Sequence, residues 1–154
     1  MKITVIFLYI FILLGFSCKK EIPEFSSKEQ ELVSAFLMEN QKIMEEMLKD
    51  KPQVRWDQFL ELNKKFVASE HSKMSEWGQK ISNLIPKESA NLEQSFDSIS
   101  KIQEVFSEMK VLVPGQSAFN KFYCPMVDKY WVMQGRQIQN PYAPEMRDCG
   151  EIIP

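Results

Sequence analysis

The sequence is poor in the residues from which most active sites are built. It contains five glycines and a single histidine, His71, in 154 residues. So few glycines leave no phosphate-binding glycine loop and no hydrolase nucleophile elbow, and one histidine cannot form the paired histidines of a zinc site. Lysine and arginine (19) nearly balance aspartate and glutamate (21), so no strongly basic surface indicates nucleic-acid binding. We therefore expect a protein that is not an enzyme and does not bind nucleic acid.

The first residues form an apolar run that is too short to span a membrane. After a lysine at position 2, residues 3–16 contain no charged side chain, and the run stops before Lys19. A transmembrane helix needs about 20 apolar residues. Residues 1–17 are therefore predicted to be a secretory signal peptide.

The end of this run resembles a bacterial lipobox, in which a small residue precedes a cysteine that is lipidated and becomes the new N-terminus. Ser17 is the small residue and Cys18 the cysteine, while Gly15 departs from the tightest form, which has leucine three before the cysteine. Several acyl chains hold a protein stably, whereas one chain holds it reversibly. We expect Cys18 to be a lipid anchor to the membrane, with ordinary signal cleavage as the alternative. The residue after the cysteine is Lys19, not the aspartate that retains lipoproteins in the inner membrane. By analogy, this favours a periplasm-facing position at the outer membrane.

Residues 18–26 are predicted to be a tether, with Pro23 marking an extended chain. The remaining residues, 27–154, are expected to form one domain with a modest core. Ser27 is the predicted cap of a first helix, with Gln30 at the capping-box position, and this helix should end near Asp50. Its apolar residues recur every three or four positions, which indicates one buried stripe: Leu32, Val33, Phe36, Leu37, Ile43, Met44, Met47 and Leu48.

Three more apolar stripes follow. Those over residues 54–67 and 74–85 are compatible with two helices or with one helix bent near His71. A last helix should run from an Asn91 cap to Val113, before Pro114. No segment up to residue 113 alternates with a period of two, and short links favour antiparallel neighbours. The predicted fold class is therefore all-α, an up-and-down bundle of three or four helices, with most tryptophan, phenylalanine and methionine residues in its core.

Residues 118–154 differ from this helical part. Prolines, glycines and clustered aromatic residues oppose a long helix there. We predict an irregular or short β-hairpin cap on the bundle. The cap contains four short motifs: Cys124-Pro125-Met126, Trp131, Ile138-Gln139-Asn140-Pro141-Tyr142, and Met146-Arg147-Asp148-Cys149-Gly150.

In this order, the motifs resemble the C-terminal motif of a family of bacterial envelope domains known as domain of unknown function 3347. Members occur alone or fused to adaptor subunits of heavy-metal efflux systems. The helical stretch upstream also looks like the family, so the resemblance covers nearly all of residues 18–154. The sequence departs from the pattern at 129–130, where small residues are usual, and at Ala143-Pro144, where a glycine is usual. The resemblance implies binding of copper or a similar ion, with efflux components as partners.

The candidate metal ligands are Cys124, Met126, Met146 and Cys149. Thiolate and thioether sulfur favour Cu(I) over hard cations. The first two ligands are two residues apart and the last two are three apart, so a turn could present each pair to one ion. The predicted function is a non-enzymatic envelope lipoprotein that binds a soft metal ion, copper, in metal homeostasis or efflux.

The alternative for the same cysteines is a disulfide. An exported chain meets oxidising conditions, and once Cys18 carries lipid two cysteines remain, an even number. A Cys124–Cys149 bridge would contribute roughly 3.5 kcal/mol in the chain-entropy model. It would also remove the thiolates that a metal needs. In that interpretation the protein is a structural or protein-interaction lipoprotein, and Trp131 with residues 140–142 defines the fold of the cap.

Overall fold

A computed structural model describes residues 24–86 and 91–154. The signal peptide, Cys18 and most of the tether lie outside these described residues. The described chain contains, in order, helices α1 (Ser27–Met47), α2 (Asp57–Val67), α3 (Ser72–Leu84) and α4 (Leu92–Leu112), strands β1 (Phe119–Cys124) and β2 (Lys129–Gln134), a 3-10 turn (Pro144–Met146) and strand β3 (Glu151–Ile153). In these two ranges, no helix combines the length and apolar character that crossing a membrane requires.

Helix α1 begins one residue earlier than the capping pattern predicted. Ser26 is the N-cap, its hydroxyl accepting a hydrogen bond from Glu29 N at 3.4 Å, and the Glu29 carboxylate accepts one from Ser26 N at 2.8 Å. The predicted pair of Ser27 and Gln30 is therefore wrong by one residue. Ser26 and Ser27 both satisfy the capping pattern. Ser26 has the Glu29 carboxylate as its reciprocal partner, whereas Ser27 has the Gln30 amide, and a charged acceptor makes the stronger hydrogen bond. The Ser26 hydroxyl also donates to the Glu29 carboxylate at 2.8 Å, and this bond, together with the one from Ser26 N, holds the pKa of Glu29 below its usual value.

The second and third stripes are separate helices rather than one bent helix. His71 caps α3, its Nδ1 accepting a hydrogen bond from Lys73 N at 3.3 Å. The two helices pack closely where α3 carries Gly78, because a Cβ there would lie 2.5 Å from Val67 N. His71 itself is buried between elements, stacked on Phe25 with ring centroids 4.2 Å apart.

The helices share an aromatic core. Phe36 of α1 contacts Phe59 and Phe66 of α2, each with ring centroids 4.8 Å apart, and Phe106 of α4 at 5.0 Å. Helix α4 begins at the predicted cap, where Asn91 accepts from Gln94 N at 2.9 Å. The expected helical core is thus confirmed.

The strict all-α prediction is corrected by a small antiparallel sheet in the order β2-β1-β3. Strands β1 and β2 form the hairpin expected in the cap, with Phe122 opposite Trp131. Strand β3 was not predicted. It has three residues, too few to show the alternation that identifies a strand in sequence. The fold is helical with a small β-sheet, and β2 packs against α4 and α1.

Candidate site in the C-terminal sheet

The two C-terminal cysteines are joined in a disulfide. The sulfur atoms of Cys124 and Cys149 are 2.12 Å apart, and the Cα atoms are 5.6 Å apart. Cys124 ends β1 and is fully buried, while Cys149 lies just before β3 and is half-buried. The bridge therefore fastens the chain after β2 back onto the first strand of the sheet.

The two predicted methionine ligands occupy different surroundings. Met126 lies in the turn between β1 and β2, where 72% of it is exposed. Met146 is half-buried in the 3-10 turn, and its carbonyl oxygen accepts a hydrogen bond from Cys149 N at 3.0 Å. The structure thus brings the two cysteines together and places Met146 one turn from the second of them.

The oxidised donor set does not fit a Cu(I) site. Both cysteine sulfurs are engaged with each other, so of the four predicted ligands only the thioethers of Met126 and Met146 are available. A cysteine binds a metal as its thiolate, and the bridge removes both thiolates. Within residues 24–86 and 91–154, no three histidine, cysteine, aspartate or glutamate side chains are grouped so that they could hold a metal. Copper binding by these residues therefore requires reduction of the bridge first.

Trp131 carries the cap into the hydrophobic core that the helices share. Its ring is fully buried and stacks on Phe122, with centroids 5.4 Å apart and planes 7° from parallel. Gly150 passes so close to this ring that a Cβ would lie 2.6 Å from Trp131 Cη2. Gly150 also has a φ of +149°, which side chains other than glycine rarely adopt. The glycine after the second cysteine is therefore required by both space and backbone conformation.

The Asn-Pro-Tyr motif and Arg147 tie the cap to the helices. Asn140 Oδ1 accepts a hydrogen bond from Tyr142 N at 2.9 Å, forming an Asx turn, and the Tyr142 hydroxyl donates to Tyr130 O at 2.7 Å. Arg147 donates to Asn140 O at 2.6 Å and to Leu48 O, just past the end of α1, at 3.1 Å. Burial raises the pKa of Tyr142 well above its usual value. These contacts agree with the prediction that residues 140–142 define the fold of the cap.

Polar side chains from the helices cover the free edge of β2. Its backbone N–H groups at Tyr130, Val132 and Gln134 donate to Ser100 Oγ, Gln103 Oε1 and Gln41 Oε1 at 2.9, 3.0 and 2.9 Å. An uncovered edge exposes unpaired backbone groups that can template pairing with other chains. The helices thus take the place of a fourth strand. These residues were not predicted from the sequence, because a polar residue in a helix gives no signal of which group it will bond.

The outward part of the hairpin carries a half-exposed tyrosine pair. Tyr123 and Tyr130 stack with centroids 4.7 Å apart, and Lys121 Nζ lies 4.7 Å from the Tyr130 ring. The Tyr123 hydroxyl donates to Asp128 at 2.9 Å, and this bond raises the pKa of Tyr123. Beside it, Lys129 pairs with Asp97 of α4 at 2.8 Å and holds the pKa of that carboxyl below its usual value. The polar groups on this surface are paired with one another.

Comparison with known proteins adds no family to this description. No protein-family model, no curated protein and no solved structure matches the chain. The resemblance to domain of unknown function 3347 therefore stays a prediction that depends on the motifs around Cys124, Trp131, residues 138–142 and Cys149.

Proposed function

We propose that the protein is a non-enzymatic lipoprotein of the bacterial cell envelope, whose disulfide-closed domain acts by contact with a partner protein. The observation that carries this proposal is the Cys124–Cys149 bridge. Disulfides persist in exported proteins and are rare in the cytosol. Of the three cysteines in the sequence, the bridge uses two and leaves Cys18, the predicted lipid attachment residue, unpaired with either of them.

The use of buried polar groups supports a structural rather than a catalytic role for the domain. Asn40, Gln41, Ser100 and Gln103 are buried, and their hydrogen bonds go to one another, to the backbone of β2 or, for Gln41, also to Glu45 of the same helix. Catalytic groups instead line a pocket where a substrate can reach them. The proposed location is the periplasmic side of the outer membrane, because Lys19 follows the lipidated cysteine.

Metabolic labelling tests the lipid anchor directly. The full chain, expressed in a bacterium with an alkyne-bearing palmitate, should become labelled and partition with membranes. A Cys18→Ser chain should do neither, because it lacks the acylated sulfur. Equal labelling of the two chains would contradict the proposal. A thiol count on the folded Cys18→Ser protein should give no free thiol before reduction and two afterwards.

Soft-metal binding is the second candidate, and the same pair of cysteines favours it. Their Cα atoms are 5.6 Å apart, so both sulfurs could reach one ion once a thiol-disulfide reductant has opened the bridge. Two thiolates with a thioether suit Cu(I), and Met146 lies one turn before Cys149. In this candidate the protein binds or passes copper in homeostasis or efflux, with heavy-metal efflux components as partners.

Cu(I) titration against a chromophoric chelator separates the two candidates. The reduced protein should compete for Cu(I) if the second candidate holds, and the oxidised protein should not. Met146→Leu and Met126→Leu should then weaken binding, while Met38→Leu, which changes an exposed thioether on α1, should leave it unchanged. A reduced protein that takes up no Cu(I) would leave the structural and interaction role as the remaining proposal.

A further inference from the structure

The described chain enters the folded domain at one end of the bundle, which we call the tether pole. Phe25 immediately precedes the α1 cap and is only 9% exposed. Its ring stacks on His71 at 4.2 Å and lies parallel to Trp77 at 5.7 Å. Since His71 caps α3, the beginnings of α1 and α3 meet at this pole. The position where the predicted tether joins the domain is therefore fixed by packing.

The last turn of α4 lies at the same pole. Glu108 accepts a hydrogen bond from Trp77 Nε1 at 2.8 Å and pairs with Lys73 Nζ at 2.5 Å. Beyond the helix, Gln116 donates to Ser34 near the start of α1 at 2.8 Å. Val111, which follows Glu108 by three residues in α4, is 67% exposed. It therefore provides an accessible position close to the tether pole.

The disulfide lies at the opposite end, the disulfide pole. Arg147 bonds Leu48 O just past the end of α1, and Lys129 pairs with Asp97 in the first turns of α4. Between them, Cys124 and Cys149 join the cap strands. The turn at 125–128, with its exposed Met126, follows Cys124 directly. The two poles are thus separated by the length of α1, which at 21 residues is about 31 Å.

The tether is too short to turn the domain over. Phe25 stands only seven positions after Cys18, and a chain of seven residue steps reaches at most about 25 Å when fully extended. In an inverted domain the tether pole would lie about 31 Å from the lipid surface, the length of α1, and the tether would have to span that distance.

We propose that the tether pole faces the lipid surface and that the disulfide pole, with Met126, points away from it into the aqueous phase. This orientation rests on the proposed lipid anchor at Cys18. In this orientation the elements next to the lipid are the start of α1, the link 68–71 and the end of α4. The hairpin turn 125–128 and the neighbouring disulfide segment then lie on the side of the domain that faces away from the lipid.

Energy transfer on reconstituted vesicles tests this orientation. The full acylated chain is given a small fluorescent donor on a non-canonical side chain, at Val111 in one protein and at Met126 in the other. The two positions are a matched pair because their side chains are 67% and 72% exposed. Vesicles of phosphatidylethanolamine and phosphatidylglycerol carry an acceptor on the headgroups, with a half-transfer distance comparable to the length of α1. We expect strong transfer from position 111 and weak transfer from position 126.

Two controls separate failure of the orientation from failure of the anchor. Co-sedimentation with the vesicles reports the anchor alone, and a Cys18→Ser chain should neither sediment nor transfer energy. A flexible insert of about 20 glycine and serine residues between positions 23 and 24 adds a coil with an r.m.s. span of about 25 Å and should erase the difference between the two labels. Equal or reversed transfer in a sedimenting protein with its native tether would overturn the orientation. A native chain that stays in the supernatant would overturn the anchor, and the orientation with it.

Discussion

Asn40 of α1 and Gln103 of α4 exchange two hydrogen bonds through their side-chain amides, at 3.0 and 2.7 Å, inside the core. The same pair bonds both backbone groups of Val132, since Asn40 Nδ2 donates to Val132 O at 2.9 Å and Val132 N donates to Gln103 Oε1 at 3.0 Å. Two helices thus complete the hydrogen bonding of a buried strand edge. The arrangement fixes how the sheet docks, because a shift of β2 by one residue would leave both bonds to Val132 unmade.

Gln103→Leu should be strongly destabilising although leucine has a similar volume. The change leaves Val132 N without its acceptor and the Asn40 amide without its two bonds to Gln103. Each buried polar group that loses its partner costs about 1–3 kcal/mol. We expect the free energy of unfolding to fall by about 2–4 kcal/mol in urea titrations. Gln137→Leu, at an exposed position of the cap, is the control and should change stability by less than about 0.5 kcal/mol. Similar values for the two variants would show that the amide network contributes little.

Gly150→Ala and Gly135→Ala form a matched pair that separates strain from collision. Both glycines have positive φ, +149° and +78°, but only Gly150 would place a Cβ against Trp131, while nothing lies within 4 Å at Gly135. Backbone strain alone costs about 1–2 kcal/mol, and the collision adds the cost of displacing a packed ring. Thermal unfolding should therefore show Gly150→Ala destabilised by at least about 2 kcal/mol more than Gly135→Ala. An equal loss in both variants would mean that the Trp131 ring yields without cost.

Arg147→Lys should lower stability even though it keeps the charge. Arg147 Nη1 donates to Asn140 O and Nη2 to Leu48 O, and a lysine ammonium cannot match this fork. Hydrogen bonds from a charged group contribute about 1.5–3 kcal/mol, so we expect a loss of about 2 kcal/mol. The exposed Arg136 provides the control, because Arg136→Lys should be neutral. Lysine substitutions with equal effects at both positions would argue against the role of Arg147 as a link between the cap and α1.

Tyr142 should make stability fall at high pH. Its folded-state pKa is raised by burial, whereas in the unfolded chain it titrates near its ordinary value of 10.0. Above about pH 10 the unfolded state loses this proton and the folded state keeps it, so unfolding is favoured by about 1.4 kcal/mol per pH unit. The stabilisation is present below pH 10 and is lost as the pH rises. Tyr142→Phe should show a shallower decline between pH 10 and 11 in urea titrations, and parallel declines would contradict the assignment.

The local features of the helices were predictable because they are written in short stretches of sequence. The Asn91 cap and Pro114 correctly predicted where α4 begins and ends, since a cap and a proline act within one turn. At α1 the adjacent pair Ser26 and Ser27 offered two registers, and Glu29 decided between them. The separation of α2 from α3 depended on His71 packing against Phe25, a contact that spacing alone does not indicate.

The sequence by itself determined a helical domain with a distinct cap. It also predicts export and a lipid anchor at Cys18, and it left a bridge or a soft-metal site as the alternatives at Cys124 and Cys149. Periodicity, capping residues and motif order carry that information because each depends on neighbours along the chain. Only the tertiary structure decided that these two cysteines meet in a bond, that β3 completes the sheet, and that Asn40 and Gln103 cover its edge. Those contacts join residues far apart in the chain, and they form only once the helices have packed.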